Sequence, residues 1–183
     1  MKNTKNALVI LAGGNGSRFG KKLPKQFTQI NGENLIHFFL KRIDTNNFDK
    51  IVIVCKNSYF KYLKKLKDDF PLVRFIFTKA GKDRQSSSYN ALKSLKSFNP
   101  KNVLIHDAAR PFCSNNLIIK ILKNLNKNYS SIPYIINTDK KMILKKDFNQ
   151  NIKLIQTPQG FKFKTIFEAH KNSLIKNARD DSS

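Results

Sequence analysis

Residues 7–27, with the sequence ALVILAGGNGSRFGKKLPKQF, carry the pattern that decides the fold. Six apolar residues are followed directly by Gly13 and Gly14, which predicts a buried strand that leads into a loop. Glycines at such a place let backbone N–H groups approach a phosphate closely, and Arg18 and Lys25 add full positive charges. The pattern predicts a phosphate-binding loop, although a glycine turn with surface lysines explains the same residues about as well.

The rest of the chain alternates strand and helix patterns, which predicts an α/β fold with a mostly parallel sheet and helices on both faces. Such sheets bind ligands at the carboxyl ends of their strands, so we expect the polar clusters at 13–25 and 106–110 to meet in space. From about 132 to 157 the pattern changes to short strand-like pieces, which predicts a projecting antiparallel excursion. We predict strands over 7–12, 51–55, 73–77 and 103–105, and helices through 35–43, 59–66, 84–97, 117–125 and 164–176.

The composition is strongly basic: 183 residues carry 35 Lys and Arg against 12 Asp and Glu, a formal charge of +23. Only six of the basic residues are arginines, which planar bidentate contacts to phosphate and guanine favour. We therefore expect a solvated lysine surface that attracts small anions and no specific nucleic acid, with a basic nucleic-acid-binding module as the alternative.

No apolar run approaches the ~20 residues that span a bilayer, so no membrane partner is expected. Two cysteines cannot make a disulfide framework, which predicts a cytoplasmic protein.

Several collinear segments resemble one enzyme family. The loop LAGGNGSR at 11–18, with Pro-Lys-Gln soon after it, resembles the signature of nucleotidyltransferases that join a nucleoside triphosphate to a phosphorylated small molecule. Four further segments follow in order, namely GKDRQSSS at 81–88, HDAARPF at 106–112, QTPQGF at 156–161 and RDDS at 179–182. Together with the compact spacing of the first loop, they resemble the 2-C-methyl-D-erythritol 4-phosphate cytidylyltransferase family.

The resemblance implies a Rossmann-like three-layer nucleotidyltransferase domain with a projecting antiparallel arm. It implies transfer of CMP from CTP to the polyol phosphate 2-C-methyl-D-erythritol 4-phosphate, with release of pyrophosphate, in non-mevalonate isoprenoid biosynthesis and with Mg²⁺ as cofactor. Residues 1–183 would form one domain, with an arm-like excursion at about 138–156 through which we expect a homodimer. Ribitol 5-phosphate as the acceptor stays open, as does an inactive remnant that binds CTP without turnover.

The resemblance also implies roles for individual residues. Arg18 and Lys25 would be the catalytic cations over the α-phosphate, and Asp107 would be the carboxylate that binds Mg²⁺, unless it is a turn or N-cap aspartate. Ser87 would read the cytosine edge, although a helix N-cap explains this serine almost as well. Nucleotide-binding roles fall on Ala12, Gly13, Gly14, Gly16, Gly81, Asp83, Ser87, Asp107 and Ala108, and acceptor-binding roles fall on Arg110, Thr138 and Thr157.

The chain departs from the family pattern in two places. An arginine that binds the acceptor phosphate usually stands at the position of Asn149, so Lys145, Lys146 or Lys153 would replace it or the acceptor differs. Family members also continue past the segment at 179–182, so we expect the C-terminal part of the family domain to be missing from this sequence.

The histidines and cysteines are not expected to do chemistry. His37 and His170 have no metal-ligand spacing between them, which favours packed or solvated side chains. His106 is expected to support the loop that follows it rather than to act as a base. Cys55 falls in a predicted strand, and Cys113 has no paired histidine or cysteine, so neither is a predicted nucleophile.

Overall fold

The strands and helices of the computed structural model follow the predicted alternation, and the structure describes residues 5–14, 23–137, 152–173 and 181–182. In chain order the strands are β1 (Asn6–Leu11), β2 (Gln29–Ile30), β3 (Glu33–Asn34), β4 (Lys50–Cys55), β5 (Phe75–Lys79), β6 (Asn102–Asp107), β7 (Ser130–Ser131), β8 (Tyr134–Asn137), β9 (Ile152–Ile155) and β10 (Gln159–Lys162). The α-helices are α1 (Leu35–Arg42), α2 (Lys65–Asp69), α3 (Arg84–Ser94), α4 (Asn115–Asn124) and α5 (Phe163–Asn172). None of these described helices has the length and apolar character needed to cross a membrane.

The main sheet has six strands in the order β5-β4-β1-β6-β10-β7. β5, β4, β1 and β6 run parallel to one another, and β10 runs antiparallel to β6. The predicted mostly parallel α/β sheet is therefore confirmed. The succession of strands reverses at β1, because β4 and β5 lie on one side of it and β6 lies on the other. Open sheets of this kind bind ligands beyond the carboxyl ends of the strands at such a reversal.

The core lies on both faces of the sheet because successive side chains of a strand point to opposite faces. Leu8 and Ile10 of β1 belong to a buried cluster with α1, α2 and α4, whereas Ala7 and Val9 belong to one with α3 and α5. Burying a Leu, Ile or Val side chain contributes about 1.5–3 kcal/mol. The two clusters therefore fix β1 from both sides, and with it the start of the loop that follows.

The helix predicted through 59–66 and the strand predicted over 73–77 differ from the structure in type or start. The helix predicted through 59–66 is divided into a 3₁₀ helix at Asn57–Leu63 and the short α2, because the apolar spacing there is compatible with both helix types. The strand predicted over 73–77 begins two residues later, as β5. At its predicted start, the Val73 N–H donates to the Phe70 carbonyl at 3.0 Å, which closes a turn instead.

β10 is a strand that the sequence analysis did not predict. It is short and shows no polar–apolar alternation, yet it pairs with β6 in the register Gln159 opposite Ile105 and Phe161 opposite Val103. This pairing brings the residues just before β10 next to the carboxyl end of β6. The last predicted helix forms as α5, and residues 174–180 lie outside the described part of the chain.

β8 and β9 form a separate antiparallel pair in which Tyr134 lies opposite Ile155. They are the two ends of the predicted antiparallel excursion, whose remaining residues 138–151 lie outside the described ranges. The side chains of Ile135, Leu154 and Ile155 are exposed on this pair. The hairpin therefore presents apolar surface to solvent.

Candidate active site

An open pocket of about 720 Å³ lies at the carboxyl ends of β1, β5 and β6. The loops that follow these three strands form its walls. The Ala108 N–H donates to the Leu11 carbonyl at 3.0 Å, so the predicted meeting of the clusters after β1 and β6 is confirmed. The pocket is lined by Leu11, Gly13, Gly14, Lys25, Gln26, Gly81, Lys82, Asp83, Arg84, Ser87, Asp107, Ala109 and Arg110.

The predicted site residues fall into three groups by position. Most of them line the pocket, three are buried behind its lining, and three lie outside the described residues, as do Asn149 and the lysines at 145 and 146. The roles assigned to them stay predictions. Lining the pocket are Gly13, Gly14, Lys25, Gly81, Asp83, Ser87, Asp107 and Arg110; behind it are Ala12, Ala108 and Thr157; outside the described residues are Gly16, Arg18 and Thr138.

Gln26 holds the glycine loop, residues 12–14, in place, a role that the sequence analysis did not assign. Its side chain is nearly fully buried, and its Nε2 donates to the carbonyls of Ala12 at 2.8 Å and Gly14 at 2.7 Å. The short 3₁₀ helix around Gln26 turns this side chain inward and leaves Lys25 exposed on the pocket wall. The adjacent Phe27 is fully buried in the core. The lysine is therefore attached to a fixed piece of backbone.

The Ser87 hydroxyl lies beneath the loop between β5 and α3. It accepts a hydrogen bond from the Gly81 N–H at 3.0 Å and donates one to the Asp83 carbonyl at 2.7 Å. The opposing glycine loop approaches so closely that a Cβ on Gly13 would lie 2.7 Å from the Cβ of Ala80. Only glycine fits at position 13. The backbone of Gly13, the backbone of Gly81 and the Ser87 hydroxyl therefore form this side of the pocket.

The N-cap of α3 is Asp83, so the N-cap interpretation of Ser87 is wrong. The Asp83 carboxylate accepts from the Ser86 N–H at 2.7 Å and from the Ser86 hydroxyl at 2.6 Å. These hydrogen bonds hold the pKa of Asp83 below its usual range. The Asp83 carboxylate thus already accepts two hydrogen bonds within the chain. Its predicted contact with the nucleotide stays a prediction.

Asp107 ends β6 and lies between two guanidinium groups. Its Oδ2 is 3.4 Å from Nε of Arg110, and its Oδ1 is 3.4 Å from Nε and Nη2 of Arg84. Within the described ranges, no group of three or more His, Cys, Asp or Glu could hold a metal ion. Mg²⁺ bound with a nucleotide needs only one or two carboxylates, because phosphate oxygens and water complete its shell. The Asp107 carboxylate fits this requirement, and magnesium as cofactor stays a prediction.

His106 is fully buried beneath the Asp107 loop. Its Nε2 donates to the Arg110 carbonyl at 3.0 Å, because a carbonyl can only accept, and its Nδ1 accepts from the Thr157 hydroxyl at 3.1 Å. Burial lowers the pKa of His106 to about 4, so the ring is neutral at pH 7. Thr157 Oγ1 in turn accepts from the Asp107 N–H at 3.3 Å. The predicted supporting role of His106 is confirmed, and Thr157 faces this network rather than the pocket.

The other two histidines are packed against carboxylates. His37 Nε2 lies 2.6 Å from Asp69 Oδ2, and His170 Nε2 lies 3.1 Å from Asp181 Oδ1. Burial raises the pKa of the two cysteine thiols to about 12 and about 11. Neither thiol is therefore ionised near pH 7, in agreement with the prediction that they are not nucleophiles.

Two pocket cations, Lys82 and Arg84, were not singled out from the sequence. Arg84 contacts Asp107, which lies 23 residues away, and Asp181, which lies 97 residues away. Spacing in the sequence cannot reveal such partners. The available signal was the position of Arg84 in GKDRQSSS, one of the segments that carry the resemblance.

An open, mainly parallel α/β sheet with a glycine loop, cations and a carboxylate at the reversal of its strand order is typical of nucleotidyltransferases. The family model described as IspD, 2-C-methyl-D-erythritol 4-phosphate cytidylyltransferase, matches residues 6–183. The chain belongs to this family of cytidylyltransferases, which confirms the resemblance drawn from the motifs.

Curated relatives agree with the family match. The chain is 42% identical over 173 residues to the bifunctional enzyme IspD/IspF of Pelagibacter ubique, an alignment that covers 91% of this chain and 46% of that protein. It is 34% identical over 172 residues to the 2-C-methyl-D-erythritol 4-phosphate cytidylyltransferase of Thermotoga neapolitana, with 90% and 76% covered. The chain thus spans about half of the bifunctional relative and about three quarters of the monofunctional one.

Solved structures show the same fold. The 4-diphosphocytidyl-2C-methyl-D-erythritol synthase of Anaerococcus prevotii superposes with a TM-score of 0.76 at 25% identity, covering 97% of this chain and 80% of that one. The bifunctional IspDF of Campylobacter jejuni superposes with a TM-score of 0.75 at 30% identity, covering 97% and 45%. The comparisons favour the erythritol-phosphate cytidylyltransferase function in isoprenoid biosynthesis over a ribitol-phosphate enzyme or a nucleic-acid-binding module.

Proposed function

We propose that this chain transfers CMP from CTP to 2-C-methyl-D-erythritol 4-phosphate, and that the pocket beyond β1 and β6 is the place of reaction. The observation that carries the proposal is the meeting of three kinds of group in one pocket: backbone of the glycine loop, the cations Lys25 and Arg110, and the Asp107 carboxylate. The glycine loop would bind the triphosphate through its N–H groups.

The reaction brings two anions together, so positioning and charge neutralisation would supply most of the catalysis. An oxygen of the acceptor phosphate attacks the α-phosphorus of CTP in line, and the bond to the bridging oxygen of the β-phosphate breaks, so that pyrophosphate leaves. The acceptor phosphate is already ionised near pH 7, so no general base is required. Lys25 would neutralise the α-phosphate together with Arg18, and Arg110 would bind the acceptor phosphate as a bidentate fork.

Mg²⁺ is proposed as the cofactor, held by Asp107 and by phosphate oxygens of the nucleotide. When bound there, it supplies positive charge that offsets the charge of the triphosphate. Asp107 is partly exposed at the pocket, with 29% of its side chain accessible, which is compatible with this contact.

Base selection is proposed for the backbone of Gly13 and Gly81 around the Ser87 hydroxyl. Gly13, Gly81 and Ser87 line the same pocket, and we expect the edge of a pyrimidine base to face them. A site that hydrogen-bonds the amino group of cytosine would reject uracil, because buried polar groups would be left unpaired.

Dimerisation through β8 and β9 and a cytoplasmic location complete the proposal. Ile135, Leu154 and Ile155 are 58%, 45% and 40% exposed on this hairpin, and a second copy of the chain would cover them. A cytoplasmic location is supported by the cysteines, which are both free thiols rather than a disulfide.

A pyrophosphate-release assay tests the proposed function. With CTP, Mg²⁺ and 2-C-methyl-D-erythritol 4-phosphate, we expect turnover that exceeds the rate with ribitol 5-phosphate or with UTP. Lys25→Ala should lower kcat on the order of 10²–10³-fold, by analogy with the loss of one preorganised charge donor. Lys65→Ala, which removes an exposed lysine of α2, is the matched control and should leave the rate unchanged. Release of pyrophosphate that is equal in wild type and Lys25→Ala would contradict the proposal.

A further inference from the structure

Arg84 connects the pocket carboxylate to a second carboxylate that is buried. Nε and Nη2 of its guanidinium face Asp107 Oδ1 at 3.4 Å, and Nη1 lies 2.5 Å from Asp181 Oδ2. The side chain of Asp181 is 1% exposed, whereas that of Asp107 is 29% exposed. The guanidinium therefore has a solvent-excluded anchor on one side and the pocket on the other.

Asp181 is itself held by two elements of the fold. Its Oδ1 lies 3.1 Å from His170 Nε2 on α5, and its backbone N–H donates to Gln159 Oε1 on β10 at 3.1 Å. Burial opposes ionisation of this carboxyl, but the hydrogen bond from His170 and the charge of Arg84 outweigh it and hold the pKa of Asp181 below its usual range. The anchor is a charged carboxylate near neutral pH, so the short contact to Arg84 is charge-assisted.

Arg110 contacts Asp107 from the other side, and no buried carboxylate among the described residues anchors it. Its side chain is 45% exposed, against 23% for Arg84, and its Nη1 donates to the Gln156 side chain at the surface. Two guanidiniums thus share one carboxylate, and Arg110, the more exposed of the two, is the better placed to turn toward a bound phosphate. The carboxylate keeps its position during such a movement only if the other guanidinium stays where it is.

We propose that Arg84 is a positioning residue that fixes the Asp107 carboxylate toward the pocket, with Asp181 as its anchor. The proposal rests on the proposed function, which gives Asp107 its role toward the nucleotide and its metal. When Arg110 turns to the acceptor phosphate, Arg84 still balances the charge of Asp107 and restrains its rotation. A planar guanidinium can bridge two carboxylates in a fixed geometry, which a lysine ammonium cannot.

A double-mutant cycle tests the proposal, with Arg84→Met, Asp181→Asn and the double variant. Arg84→Met should lower kcat on the order of 10- to 100-fold, the cost of a misplaced group. The double variant should be no slower than Arg84→Met alone, because either change breaks the same Arg84–Asp181 pair. Arg84→Lys should not restore kcat. The control is Arg74→Met, which should leave kcat unchanged. Arg74 is exposed and directly precedes β5, at the end of that strand away from the pocket.

A second readout separates positioning from folding and from the proposed function. Calorimetric Kd values for CTP, with and without Mg²⁺ and below the melting temperature of each variant, should show that Arg84→Met and Arg84→Lys lose the Mg²⁺-dependent gain in affinity. Retention of that gain and of kcat, or additive losses in the cycle, would overturn the positioning role. Should the wild type bind CTP with this gain but release no pyrophosphate, the proposed function fails while the positioning role is still decided by the Kd values. Absence of CTP binding in the wild type overturns both.

Discussion

Lys25 and Gln26 show how two neighbouring residues can divide the work of a site. The 3₁₀ helix at 25–27 exposes the lysine to the pocket and buries the glutamine against the glycine loop. The amide group is suited to this place because the side chain is buried and its Nε2 donates to two backbone carbonyls. The position of the Lys25 ammonium, which we propose for neutralising the α-phosphate, therefore depends on the neutral side chain of Gln26.

Replacing Gln26 by Glu should disrupt the pocket although the volume is unchanged. A carboxylate has no N–H to give to the carbonyls of Ala12 and Gly14, and it would repel them. We expect a loss of about 1–3 kcal/mol in the free energy of unfolding, the cost of leaving buried polar groups unsatisfied, and weaker CTP binding. Chemical denaturation and calorimetry measure the two effects. Gln85→Glu, at a glutamine outside the pocket lining, is the control; equal stability of Gln26→Glu and this control would contradict the account.

The start of α3 is fixed by its capping box, in which Asp83 and Ser86 satisfy each other's backbone N–H groups. Asp83→Ala should lower the free energy of unfolding by about 1 kcal/mol, whereas Asp83→Asn should keep most of the cap. Because the folded-state pKa of Asp83 is lowered, its contribution is present above the pKa of the unfolded chain and is lost as pH falls. Urea denaturation at pH 7 compares the variants; an equal loss for Ala and Asn would show that the cap is not what Asp83 contributes.

The carboxyl end of β6 should make the protein sensitive to mild acid through His106. Its pKa is about 4 in the folded chain and ~6.5 in an unfolded one, so between these values the unfolded state binds more protons. Stability should therefore fall as pH falls, by about 2 kcal/mol between pH 7 and pH 5. Denaturation at both pH values measures this slope. His106→Gln cannot take up the proton and should lose most of it; an undiminished slope in that variant would contradict this assignment.

The central strands could be predicted from the sequence because each is a continuous apolar run that is buried on both faces, as the residues of β1 show. β10 could not, since its four residues include a glycine and a lysine and gain their burial from pairing with β6. The same limit applies to β5, whose start depends on a turn between Phe70 and Val73. Tertiary pairing, rather than local pattern, decides such boundaries.

Site residues could be predicted where they belong to a recognisable sequence segment. They could not be predicted where their role depends on contacts between distant parts of the chain. Gly13, Lys25 and Asp107 each follow a predicted strand or loop, so their convergence follows from the parallel sheet. Gln26 and Arg84 act through partners that only the folded chain brings near, and the sequence gives no spacing rule for them.

At the scale of the whole molecule, a strongly basic chain carries an exposed apolar surface on the β8–β9 hairpin of its described part. If a second copy covers this hairpin, Ile135→Lys should convert a dimer into a monomer with little change in melting temperature, because the side chain is exposed in the single chain. Sedimentation velocity measures the change in mass. Tyr129→Lys, at a tyrosine that is 76% exposed outside the hairpin, is the control and should stay dimeric. Equal sedimentation of Ile135→Lys and wild type would rule out this interface.

The account depends on positive groups and one carboxylate facing the same nucleotide phosphates. A crystal structure with a non-hydrolysable CTP analogue and Mg²⁺ tests this most directly. It should place an α-phosphate oxygen about 3 Å from Lys25 Nζ, with Arg18 on the same phosphates, Asp107 facing them, and cytosine beside Gly81. An analogue bound outside this pocket, or bound with its triphosphate directed away from Lys25 and Asp107, would contradict the account.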